Sequence, residues 1–219
     1  MIFEGIKYVV SKPESFKENL EYPTVIFMHG AGTRGDDINQ VFNNPFFQKG
    51  NILLEKTIIY APLCDQDTWF DMFEGLRRFA RYVYEHKNTD ITRVYLVGAS
   101  MGGYAVWQLM MSDPQLYAGA VPICGGGMYW NAERLKNSNI WAFHGKKDSV
   151  VLCEESTKMV DCINKYGGKA KLTILEEYEH NVWTYVYQNP QPFQWLLECK
   201  NEKINAGVSN SYDSSERFG

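Results

Sequence analysis

Val94-Tyr95-Leu96-Val97-Gly98-Ala99-Ser100-Met101-Gly102-Gly103 is the stretch on which the fold turns. Four apolar, strand-forming residues run straight into G-x-S-x-G, and an apolar helical pattern follows from Gly102 to Met111, ahead of Asp113-Pro114. The reading is strand, sharp turn, helix. A serine at such a turn sits in a strained backbone conformation with its hydroxyl clear of the sheet. Glycines two residues to either side relieve the crowding. The start of the helix offers backbone N–H groups and a partial positive charge where an oxyanion would form. Ser100 is therefore the candidate nucleophile, and the N–H of Met101 one oxyanion donor.

Outward from this turn, short apolar runs alternate with helical stretches, the pattern of βα units around a mainly parallel sheet. Upstream, Gly5–Val10 reads as an edge strand, Thr24–Met28 and Thr57–Ala61 as buried strands, and Asp71–His86 as an amphipathic helix, with Met72, Leu76, Phe79 and Val83 on one face. Downstream come strands at Ala118–Ile123, Ile140–His144 and Leu172–Leu175, a helix over Glu154–Tyr166 and a closing helix near Gln191–Cys199. The Gly125–Asn139 connection leaves room for a short helix around Ala132–Lys136 and a minimal lid. The expected fold class is α/β, with helices on both faces of a twisted sheet.

A strand-turn-helix serine requires its partners in the chain order serine, acid, histidine. Of the four histidines, His29 and His86 precede Ser100, and His144 sits inside the apolar run Trp141-Ala142-Phe143-His144, where it ends a strand. His180 remains, in the loop after the last strand. The acid belongs on the loop after the preceding strand, and Gly145-Lys146-Lys147-Asp148 is that loop. Asp148 would accept a hydrogen bond from the imidazole and fix its tautomer. Asp161 reads as a charge on a helix face, and Glu154 as a helix-start carboxylate. The second oxyanion donor is expected from His29-Gly30-Ala31-Gly32, directly after a strand: Ala31, with Gly32 as fallback. Trp69, Tyr129 and Trp183, with Phe70 and Trp130, fall in loops at this end of the sheet and are expected to line an aryl-binding cleft. Asp65, Gln66 and Asp67 read as a solvated loop that could bind substrate hydroxyls.

The 219 residues suffice for one domain over 1–200, and at that size a core needs neither metal nor disulfide. Hydrophobic residues make up 45% and charged residues 22%, with net charge −4. A mildly acidic surface argues against nucleic acid or an anionic membrane as partner. Five cysteines without CxxC spacing, and an N-terminus lacking a basic region or cleavage site, point to reduced thiols in a cytoplasm. No metal or organic cofactor is expected, since ligand spacings, G-x-G-x-x-G and the P-loop are missing from the sequence. Residues 201–219 turn polar and read as a disordered tail. Whether the tail rests on its own subunit or on the neighbour in a homodimer is left open.

HGAG after an early strand, GASMGG after a later one, HGKKD, and the His-Asn-Val-Trp stretch together resemble the α/β-hydrolase superfamily over about residues 1–199. Within it the chain is similar to small microbial carboxylesterases allied to feruloyl esterases, polyhydroxybutyrate-depolymerase-type esterases and dienelactone hydrolases. The resemblance implies a Ser100, His180, Asp148 triad, an Ala31 and Met101 oxyanion hole, and hydrolysis of short acyl or aryl esters of small molecules through an acyl-enzyme. Dienelactone hydrolases carry a cysteine at the turn where this chain has Ser100. A small peptidase or acyltransferase on the same fold is the alternative, and a non-catalytic ligand-binding protein a more distant one.

Overall fold

The computed structural model describes residues 1–201. The predicted polar tail, from residue 202 on, lies outside the described residues. In chain order the strands are β1 (Ile2–Phe3), β2 (Ile6–Ser11), β3 (Tyr22–Met28), β4 (Ile58–Pro62), β5 (Thr89–Ala99), β6 (Gly119–Ile123), β7 (Trp141–Gly145) and β8 (Lys171–Leu175). The helices are α1 (Asn39–Phe42), α2 (Ile52–Lys56), α3 (Phe73–Tyr84), α4 (Met101–Ser112), α5 (Glu154–Lys165), α6 (Trp183–Gln188) and α7 (Pro190–Glu198).

Among the described residues the strands form one sheet in the order β1-β2-β4-β3-β5-β6-β7-β8. β1 and β2 pair antiparallel, as do β2 and β4; every later neighbour pair is parallel. Parallel strands need helical crossovers on both faces, so they are buried on both sides and their sequences are continuously apolar. β3 shows the result. Ile26 and Met28 join Leu96 and Ala120 beneath Leu76, Val106 and Met159 of α3, α4 and α5. Val25 and Phe27 face the other way, with Tyr95 and Val97, against Leu53, Val186 and Phe193 of α2, α6 and α7. Successive side chains alternate between the two cores because the strand period is two.

The structure differs from the sequence reading in its details. The edge strand is Ile2–Phe3 rather than Gly5–Val10, because Glu4 and Gly5 both lie at positive φ and fold the chain into a two-residue hairpin turn. The region between residues 31 and 56 holds two short helices and two 3₁₀ turns, at Ala31–Thr33 and Pro45–Phe47, none of them predicted. The helix expected at Ala132–Lys136 is a 3₁₀ turn at Tyr129–Leu135. The five cysteines are free thiols, and all but Cys162 are buried. Among the described residues no helix is long and apolar enough to cross a membrane.

Candidate active site

β5 delivers Ser100 at the carboxyl edge of the sheet. Its backbone sits at φ 56°, ψ −121°, a region that costs a non-glycine residue on the order of 1–3 kcal/mol. The surroundings hold it there: the Ser100 N–H donates to Ile123 O at 2.8 Å, and the Tyr104 N–H donates to Ser100 O at 3.1 Å. The turn is also pressed against β3. A Cβ on Gly102 would lie 2.0 Å from Met28 O, so no larger residue fits.

The other two side chains come from adjacent strand ends. The loop after β7 brings Asp148, and the loop after β8 brings His180. The two loops are tied together, because Lys147 N–H donates to Tyr178 O at 3.0 Å. The His180 loop crosses directly over Gly145, where a Cβ would meet Glu179 O at 2.2 Å. The result is a continuous line: Ser100 Oγ lies 2.8 Å from His180 Nε2, and His180 Nδ1 lies 2.7 Å from Asp148 Oδ2. Chain order thus named three residues that the fold brings into hydrogen-bond contact.

Asp148 is buried. Burial by itself would raise its carboxyl, but the His180 hydrogen bond and the N–H groups of Val151 and Val150, each 2.9 Å from Oδ1, outweigh that and hold it below the usual carboxylate range. An ionised carboxylate with one oxygen aimed at Nδ1 keeps the proton on that nitrogen. Nε2 is then left as an acceptor facing the serine hydroxyl.

The 3₁₀ turn after β3 supplies the opposite wall. Gly30 packs against the serine: a Cβ there would be 3.2 Å from Ala99 O and 3.6 Å from Ser100 Cβ. Ala31 and Met101 each occupy the first position of a helical turn, where a backbone N–H has no acceptor within its own helix. His29 anchors this turn from behind. The Cys64 N–H donates to His29 Nε2 at 3.0 Å, so Nδ1 carries the ring proton and donates to Gly30 O at 2.8 Å. Burial pushes the His29 imidazole down to about 4, which matches a neutral ring.

A cavity of about 450 Å³ opens at Ser100, lined by Ala31, Thr33, Val150, His180, Trp183 and Tyr187 among others. Of the predicted aromatic residues, Trp183 lines it, with its ring edge-on to His180 at 5.2 Å. Trp69 does not. It is fully buried against the His29 ring and donates its indole N–H to His29 O at 3.0 Å, so it braces the turn from within the core. Tyr129 is also outside the cavity: its 3₁₀ turn packs toward α5, with Lys158 over its ring. Tyr187 was missed, although it lies four residues after Trp183 and so shares its helix face.

Comparisons with known proteins agree with this architecture. The prolyl oligopeptidase family model matches residues 71–127, a run holding α3, β5, the Ser100 turn, α4 and β6. A thermostable esterase structure is similar at 31% identity and TM-score 0.79, over 89% of this chain and 59% of that one. This chain therefore spans less than two thirds of that esterase's length. A ferulic acid esterase is similar at 13% identity and TM-score 0.67, over 87% of this chain and 91% of the other. Dipeptidyl peptidase 4 of Porphyromonas gingivalis is similar at 10% identity and TM-score 0.65, over 89% of this chain and 33% of that one. No curated protein matches the sequence.

Proposed function

We propose that this chain, an α/β-hydrolase, works as a serine carboxylesterase through Ser100, His180 and Asp148. The observation that carries the reading is the unbroken Ser100–His180–Asp148 hydrogen-bonded line opening into a largely apolar cavity. In the first step His180 Nε2 takes the Ser100 hydroxyl proton as Oγ bonds to the ester carbonyl carbon. The carbonyl oxygen becomes an oxyanion, held by the N–H groups of Met101 and Ala31. The imidazolium that forms is stabilised by Asp148 and gives its proton to the departing alcohol. Water then repeats the sequence on the acyl-enzyme and releases the acid.

The cavity volume, about 450 Å³, suits a short acyl chain or one aryl ring with its ester. Esterase chemistry draws support from the 31%-identical thermostable esterase and from the shared fold of the ferulic acid esterase. A peptidase on the same machinery is the second reading, favoured by the family match over residues 71–127. Turnover of p-nitrophenyl acetate and butyrate against a set of aminoacyl p-nitroanilides separates the two. The esterase reading expects the esters to be hydrolysed and the anilides spared, and expects Ser100→Ala to lower kcat/KM by roughly 10⁴-fold or more. Equal ester turnover by wild type and Ser100→Ala would end the proposal.

A further inference from the structure

We infer that Tyr187 is a specificity-determining residue of the Ser100 cavity: its phenol hydroxyl selects esters whose cavity-filling part is uncharged and carries an acceptor oxygen, as in an ether or a ketone, over plain hydrocarbon. The inference rests on the reading of Ser100 as an esterase nucleophile and names the substrate class that reading leaves open.

Tyr187 lies near the end of α6, with 5% of its surface exposed. Its ring packs edge-on against Phe27 of β3 and Phe46, at centroid distances of 6.2 and 5.3 Å, and this contact holds the side chain inward. The same residue lines the cavity that opens at Ser100. Its hydroxyl has no hydrogen-bond partner among the described residues. Tyr95, in the same core, shows the ordinary arrangement: its hydroxyl donates to Cys199 O at 2.9 Å. A buried phenol left without a protein partner costs stability, and phenylalanine would fill the same space without that cost. The hydroxyl therefore serves what enters the cavity. Burial, and after it the Cys124 thiol, push the phenol far above its ordinary value, so it meets a ligand as a neutral hydroxyl.

The other walls narrow the ligand. Among the described residues no aspartate, glutamate, lysine or arginine lines the cavity. A carboxylate or an ammonium group placed there would lose its hydration and find no counter-ion. Asn44 is spent at both ends of its amide: Oδ1 accepts from the Phe46 N–H at 3.0 Å, and Nδ2 donates to Thr33 Oγ1 at 3.4 Å. Thr33 is only half-buried, so its hydroxyl can turn to water. Pro45, Val150 and Trp183 offer apolar surface. What remains is apolar space with one buried donor. A site built this way favours a ligand that answers the donor and rejects the analogue that lacks the oxygen.

Probes that differ by one oxygen test this. Anisole and ethylbenzene have nearly the same shape, and NMR titration of ¹⁵N-labelled protein gives a Kd for each without any turnover. The anisole-to-ethylbenzene affinity ratio is expected to fall about fivefold in Tyr187→Phe, whose thermal midpoint stays level or rises. Turnover is read in two series. One varies the acid, p-nitrophenyl levulinate against isocaproate, and the other varies the alcohol, p-methoxyphenyl against p-ethylphenyl acetate. In the series whose varied half fills the cavity, the kcat/KM ratio of oxygenated to plain ester is expected to be roughly tenfold higher in wild type than in Tyr187→Phe. Ratios that do not move, in binding and in both series, would overturn the assignment while leaving the esterase reading intact. A shifted binding ratio in protein that turns over no ester would support Tyr187 as the selecting group and sink the esterase reading instead.

Discussion

Two buried aspartates lie toward opposite ends of α4, and their partners make them different kinds of group. Asp113, at the end of α4, faces two guanidiniums: Arg77 Nε at 3.1 Å and Arg81 Nη2 at 2.5 Å. Asp148 faces two imidazoles, His180 and His144. An arginine does not give up its proton, so the Asp113 cluster is a permanent lock between α3 and α4. In the proposed mechanism the His180 imidazole takes up and releases a proton, so the charge beside Asp148 changes during the cycle. Equally buried carboxylates thus become a rivet in one place and a proton-handling site in the other, and the choice of cation decides which.

The comparison breaks most visibly if the two carboxylates are neutralised separately. Asp148→Asn keeps a side-chain oxygen for the Val150 and Val151 N–H groups but removes the carboxylate that sets the His180 tautomer; kcat of the folded fraction is expected to fall on the order of 10³–10⁴-fold, a larger effect than that on the thermal midpoint. Asp113→Asn should do the reverse. Removing the Asp113 charge between two guanidiniums is expected to cost roughly 2–4 kcal/mol in chemical denaturation, toward the lower end because the arginines are partly exposed and Arg77 keeps Glu74 at 3.3 Å, while kcat of the folded fraction is unchanged. Similar profiles for the two variants would abolish the distinction.

His29 sharpens the contrast, since it is a buried histidine held neutral. Its native value of about 4 lies below the ordinary 6.5, so between those values the unfolded chain binds more protons than the native one. Stability from this group is complete above pH 6.5 and is lost as pH falls toward 4, by on the order of 3 kcal/mol. Urea unfolding at pH 4.5 and 7 should show the loss, and His29→Gln should flatten it. Smallest of all, Trp183→Ala removes one cavity wall and no reacting group. An increase of KM by about three- to tenfold with kcat nearly constant is expected for an aryl ester.

How far sequence reaches follows the same division. The Ser100 turn is written locally, since strand, glycines and helix occupy one short segment, and chain order then picks out Asp148 and His180. Nothing local tells Trp69 from a cleft aromatic; that depends on whether His29 packs behind or in front of it. His144 reads as an apolar strand end because its partners, the Val151 carbonyl and the Ser156 hydroxyl, come from the following loop and helix and leave no pattern in the strand itself. The wall formed by residues 31–47 escapes pattern reading for another reason: its short helices and turns are too brief to show a period.

The central claim is that Ser100 carries the acyl group. Mixing the protein with a fluorophosphonate, digesting it and mapping the adduct by mass spectrometry tests this directly. The account predicts a single modified peptide bearing the phosphonyl group on Ser100, formed at a rate that collapses in His180→Ala. An adduct on any other residue, or none on Ser100 in protein that still hydrolyses esters, would contradict it.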